Sequence, residues 1–76
     1  MELEILKEAI VSVLNVYPGE ITGETTFLGD LGADSLDVYQ IVLYVEDKLR
    51  ISLATEDIKQ IRTVKEAVEL IKKAEA

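Results

Sequence analysis

The sequence predicts an all-α fold, a small bundle of three main helices plus one short helix, with a long first loop. Three observations predict it. Apolar residues recur at helical spacing in three segments, and no segment shows the alternation of a half-buried strand. Helix-start and helix-stop signals fall at the edges of those segments. The chain has 76 residues, 49% of them apolar and none a cysteine. One packed core, without disulfides or thiolate metal sites, must therefore hold a single domain over residues 1–76.

In residues 3–16, Leu3, Leu6, Ile10, Val13 and Leu14 fit one stripe, which Ala9 and Val16 widen. Tyr17-Pro18-Gly19 ends this helix, because proline cannot continue it and the residue before proline avoids the helical region. Residues 17–33 make a connection that is long for so small a domain, and long ordered loops are often functional. Its expected anchors on the helices are Ile21, Phe27, Leu28 and Leu31. The second helix runs from about Ser35 to Leu49 with Asp34 as its N-cap. A short third helix is expected over Thr55 to Ile61, capped by Thr55, with Glu56 and Asp57 at its positive end. Thr63-Val64-Lys65-Glu66 reads as a capping box opening the last helix. That helix is expected to bury Val64, Ala67, Val68 and Ile71, and it ends on Lys72 and Lys73, the charge its C-terminus prefers.

The second helix is apolar on two sides. Val38, Ile41, Val42, Val45 and Leu49 cluster on one side and form the expected core face. Leu36, Tyr39, Leu43 and Tyr44 lie opposite, interleaved with Gln40 and Asp47. A domain this small has too few elements to cover both faces. Leu36, Tyr39 and Leu43 are therefore expected to form a partner-docking strip edged by acids, the usual anatomy of a binding surface. The alternative for Tyr39 and Tyr44 is packing within the chain.

Charge narrows the function. The net charge is −7, and residues 1–47 hold ten acids against Lys7 alone, whereas residues 48–76 hold seven bases and five acids. Nucleic acid is disfavoured as a partner, since its phosphates need a basic footprint. The negative half would instead steer basic protein surfaces. The longest apolar run, Ile41 to Val45, is too short for a membrane span, and the acidic start argues against a targeting peptide. The cytoplasm is the expected compartment.

Ser35 falls on the first turn of the second helix, where unpaired backbone N–H groups and a partial positive charge favour an attached anion. It is not expected to be a catalytic nucleophile: a serine hydroxyl needs an adjacent base, and the chain has no histidine and no cysteine. The acids around it do not make a calcium loop. With Asp30 as first position, Gly32 falls third, Ser35 stands where glycine is required and Ile41 where a glutamate is required. No catalytic residue and no metal ligand is expected.

The run Gly32-Ala33-Asp34-Ser35-Leu36-Asp37, preceded by Asp30-Leu31, closely resembles the attachment site of acyl carrier proteins, and the resemblance extends over the whole chain. It implies a monomeric carrier whose Ser35 bears a 4′-phosphopantetheine arm, moved from coenzyme A by a phosphopantetheinyl transferase. The arm's thiol would hold acyl groups of fatty acid or related lipid or polyketide synthesis as thioesters. The resemblance makes Leu36 a partner-contact leucine. It also makes Asp34, Asp37, Glu46 and Asp47 the acids that meet basic patches on the transferase and on synthase enzymes. Gln40 belongs to the same face. The family's acyl chain withdraws between helices, and the matching positions are Ile41, Val42, Val45, Leu49, Leu53, Ile58 and Ile61.

Several positions depart from the family's pattern. Gln40 stands where carriers of fatty acid synthesis usually have an acid. Lys48 and Arg50 replace part of an acidic helix end, and Ala54 replaces a common proline. Tyr39 and Tyr44 are bulkier than is typical. These departures suggest a specialised set of partner enzymes. The alternatives are a polyketide or peptidyl carrier, Ala33-Asp34 favouring the acyl kind, or a plain helical interaction module in which Ser35 is inert.

Overall fold

Four helices and one turn of 3₁₀ helix follow one another in a computed structural model that describes residues 2–75. They are α1 (Glu2–Leu14), the 3₁₀ turn (Pro18–Glu20), α2 (Ser35–Leu49), α3 (Thr55–Ile58) and α4 (Val64–Glu75). The only strand-like pairing among the described residues is an isolated antiparallel bridge between Thr26 and Thr63. Helix α1 packs on α2 and α4, and α3 touches α2. The expected apolar stripes meet in one core: Leu6, Ala9 and Ile10 from α1, Val38, Ile41, Val42 and Val45 from α2, Val64, Ala67 and Ile71 from α4. Leu49 and Val68 pack half-buried at its edge, and Leu3 is exposed.

Helix α1 stops at Leu14, two residues short of the expected end. Asn15 takes a left-handed conformation (φ 57°), which asparagine tolerates, and its N–H donates to Val11 O at 2.9 Å. Val16 still packs against the core. Helix α2 ends the same way on Arg50 (φ 56°), whose N–H donates to Glu46 O. A side chain pays a steric penalty there that glycine does not. Arg50→Gly is thus expected to raise unfolding stability by about 1 kcal/mol, as a shift of the denaturant midpoint without a change of slope.

The short helix departs most from expectation. Thr55 is its first residue and not its cap: Ala54 holds the N-cap position, without a side-chain bond, and its carbonyl accepts the N–H groups of Asp57 and Ile58. The helix ends at Ile58 instead of Ile61, because Gln60 and Ile61 donate to the carbonyls of Asp57 and Ile58 in tighter i→i−3 turns. Tightening the chain brings Arg62 beside the first loop. There Phe27 N–H donates to Arg62 O at 3.0 Å and Val64 N–H to Thr25 O at 2.9 Å. The capping box of α4 is formed: Glu66 N–H donates to Thr63 Oγ1, and Thr63 N–H to Glu66 Oε1. Arg62 N–H also donates to Glu66 Oε1, and these backbone donors hold the Glu66 carboxyl below its ordinary value. A depressed acid stabilises the fold above its unfolded pKa, and that contribution is lost as pH falls through its folded pKa.

The long loop is packed, as its apolar residues suggested, with one correction. Ile21 and Phe27 are buried and Leu31 is half-buried, but Leu28 is 75% exposed. In this turn Phe27 takes the inward position, at 3% exposed, and Leu28 beside it faces out. The turn is fixed by reciprocal bonds, Thr26 N–H to Asp30 Oδ2 (2.9 Å) and Asp30 N–H to Thr26 Oγ1 (3.0 Å). Gly29 is required here, since a Cβ would stand 2.8 Å from Thr26 Oγ1 and break that exchange. Gly32 then turns the chain in the left-handed region (φ 64°) and delivers it to α2.

Candidate functional site

The start of α2 is built by two carboxylates. Asp34 is extended and accepts Asp37 N–H on Oδ1 at 2.9 Å, while Asp37 Oδ2 takes Asp34 N–H at 3.4 Å. This reciprocal pair fixes the first turn and leaves Ser35 exposed at its tip. Ala33, buried behind it, anchors the turn to the core, and its N–H donates to Phe27 O at 2.8 Å. The hydroxyl is therefore presented by a rigid element. The acids beside it serve the backbone as well as the surface potential.

Leu36, Tyr39 and Leu43 are 62%, 43% and 45% exposed on one side of α2, so the second apolar face is left uncovered. Gln40 and Asp47 are exposed with them, and Asp37 is half-buried. Glu46 has a further role: its Oε2 accepts Leu53 N–H at 2.7 Å and ties the α2–α3 connection to the helix. Tyr44 packs within the chain. Its hydroxyl donates to Glu8 Oε1 of α1 at 2.6 Å, which holds the phenol above its ordinary pKa. Lys48 Nζ lies 3.7 Å from the same carboxylate oxygen and 5.8 Å from the Tyr44 ring centre. Tyr44 and Lys48 thus join α1 to α2, and Arg50 caps the helix. They do not extend the exposed apolar strip of Leu36, Tyr39 and Leu43.

Ser35 opens onto a cleft of about 770 Å³ between the first loop, α2 and the α3 region. Leu28, Leu36, Tyr39 and Ile58 give it apolar walls, and Lys59 and Arg62 also line it. Behind the cleft lies a void of only about 10 Å³, bounded by Ile41, Val42, Val45, Leu53 and Ile61 among others. That is room for about one water. Phe27, Val38 and Ile61 line both spaces and form the wall between them. Of the residues expected to receive an acyl chain, Ile58 faces the outer cleft alone, and Leu49 lines neither space.

Sequence reasoning did not single out Phe27, Val38, Leu28, Lys59 or Arg62 for the site. Lys59 and Arg62 are two of the seven bases of residues 48–76, and nothing local sets them apart from the other five. Nothing local distinguishes Phe27 as a wall.

A family description, "Phosphopantetheine attachment site", matches residues 4–71. Acyl carrier proteins of Clostridium perfringens and Wolinella succinogenes are each 44% identical over 66 residues, covering 87% of this chain and 87% of theirs. Among solved structures, a proposed acyl carrier protein from Mycobacterium tuberculosis superposes with a TM-score of 0.88 at 27% identity, covering 96% of this chain and 97% of that one. An acyl carrier protein from Thermotoga maritima gives a TM-score of 0.74 at 31% identity, covering 97% and 91%.

Proposed function

The chain belongs to the phosphopantetheine-attachment family of acyl carrier proteins, and from that premise we propose that Ser35 is the residue that carries the arm. The family's prosthetic group is 4′-phosphopantetheine, joined covalently. When bound it supplies a thiol on which acyl groups ride as thioesters. The observation that carries the assignment to Ser35 is its position, an exposed hydroxyl on the first turn of α2, at the mouth of an apolar cleft. A phosphate there meets the positive end of a helix dipole. Incubation with coenzyme A, Mg²⁺ and a broad-specificity transferase should add one arm to the intact mass. An unchanged mass, under conditions that convert a control carrier, would reject the proposal.

The partners follow from the same surface. Basic faces of a phosphopantetheinyl transferase, and of acyl-transfer or synthase enzymes, would meet Asp34, Asp37 and Asp47, with Leu36 as central apolar anchor. Asp47→Lys is the cleaner test, because Asp37 also closes the capping box. It should slow modification by a basic transferase at low salt, with the difference shrinking as salt rises. A rate ratio indifferent to salt would discredit steering. The acyl chain is expected to part Phe27, Val38 and Ile61 and displace the aliphatic side chains behind them, since the void cannot take a tail as it stands.

Fatty acid or related lipid synthesis is the pathway class that such relatives favour. Tyr39 and Gln40 on the docking strip support a specialised partner set within it. Full activity with standard fatty acid synthase enzymes would remove that refinement. Among the described residues no helix is long and apolar enough to cross a membrane. A cytoplasmic setting is our reading of a chain without cysteines.

A further inference from the structure

Of the seven bases of residues 48–76, two line the cleft onto which Ser35 opens: Lys59 and Arg62, both exposed. Neither forms an ion pair among the described residues, where the pair present is Lys48 with Glu8. The acids nearest to them in the chain do not offset them at the cleft. Glu56 and Asp57 are exposed but do not line it. The Glu66 carboxylate, which feels the Arg62 charge, is held by the backbone N–H groups of Arg62 and Thr63. At the α2 side of the cleft the sign is opposite, with Asp34 lining it, Asp37 bonded to Asp34 and Asp47 exposed further along the helix. An enzyme that reaches the Ser35 hydroxyl must cover both sides, so its face meets two signs of charge.

We propose that Lys59 and Arg62 determine docking specificity: they turn away enzymes whose docking face is basic throughout, and they select enzymes that carry a basic patch for α2 beside an acidic patch for the α3 region. This deepens the partner reading above and rests on Ser35 being the attachment residue. The uncharged strip of Leu36, Tyr39 and Leu43 offers contact area to either kind of enzyme. Charge is what separates them. A wholly basic face is attracted by Asp37 and Asp47 but meets like charge at Lys59 and Arg62, which slows its encounter and penalises the docked pair. A face of both signs is attracted at each end, and the opposed ends also fix which way round it docks.

The probe is a phosphopantetheinyl transferase with a basic docking face, and the readout is the rate of arm addition followed by intact mass. The Lys59→Glu/Arg62→Glu double variant should be modified roughly three to ten times faster than wild type at low salt. The ratio should fall toward one as salt rises. Glutamate is then substituted in turn for each basic residue of the transferase face, and at least one substitution should invert the preference, making wild type the faster substrate. Circular dichroism checks the fold of the carrier variant. Should it fail to fold, the Lys59→Gln/Arg62→Gln pair decides, with a smaller rise expected. A rate unchanged or lowered by loss of these charges, a rise that salt does not diminish, or a scan in which no substitution favours wild type overturns the specificity proposal and leaves the Ser35 assignment standing. If neither wild type nor variant gains an arm while a control carrier is converted, the Ser35 assignment falls and this proposal with it.

Discussion

Ser35→Ala should leave the helical fold intact and abolish the gain of a phosphopantetheine arm. The change removes only an exposed hydroxyl at the first turn of α2, and the reciprocal bonds between Asp34 and Asp37 do not involve it. Exposed substitutions of this kind usually alter stability by about 0.5 kcal/mol or less. Chemically the loss is complete, since alanine offers no oxygen to be phosphorylated and the chain has no cysteine to substitute. Intact mass after incubation with coenzyme A and transferase reads the result directly, and circular dichroism checks the fold. An arm found on the alanine variant would place attachment on another hydroxyl. A wild type that gains the arm beside an inert alanine variant would also exclude the plain interaction module, in which Ser35 has no chemical role.

The second large effect is expected at Phe27. It is 3% exposed, lines both the cleft and the inner void, and sits between the loop and the bundle. Truncating a buried phenylalanine to alanine typically costs about 3–5 kcal/mol. Domains are stable by only about 0.05–0.15 kcal/mol per residue, so much of the margin of so short a chain would go. Phe27→Ala is therefore expected to unfold at a far lower denaturant concentration, and an appreciable unfolded fraction should be present without denaturant. Leu28→Ala, one position away and exposed, should change stability by less than about 0.5 kcal/mol. Equal losses at the two positions would contradict the inward and outward orientations described for the loop. Phe27→Leu should recover much of the loss, and its partial opening of the wall should ease entry of an acyl chain. That entry can be read as slower thioester hydrolysis of a loaded long-chain form than of a short-chain one.

What was readable along the chain was what neighbouring residues decide among themselves. The cap at Asp34, the box at Thr63 and Glu66, the stripe of α2 and the exposed position of Ser35 all depend on contacts within one or two turns, and all are present. Helix α2 also kept its uncovered side, because a bundle of this size has no element left to cover Leu36, Tyr39 and Leu43. Errors arose where distant segments meet. Thr55 resembles a cap in its local words, yet α3 begins on it and closes early, because the chain must turn to place Arg62 beside Phe27. For Tyr44, which shares the outer side of α2 by angle alone, the expected packing within the chain is present, because Glu8 on another helix draws it toward α1. Leu28 and Phe27 carry no periodicity that tells inside from outside.

From its order of residues alone, then, the chain determined the number and kind of its helices, the sign of the potential around α2, and which hydroxyl stands at the tip of that helix. Spacing and capping suffice for these, because each is settled over a few ångströms. Tertiary packing decided the cleft, the wall of Phe27, Val38 and Ile61, the near absence of interior space behind it, and the placing of Lys59 and Arg62 along Ser35's own groove. Those features are made by side chains far apart in sequence, and only their meeting in three dimensions gives them a shape or a charge to act with.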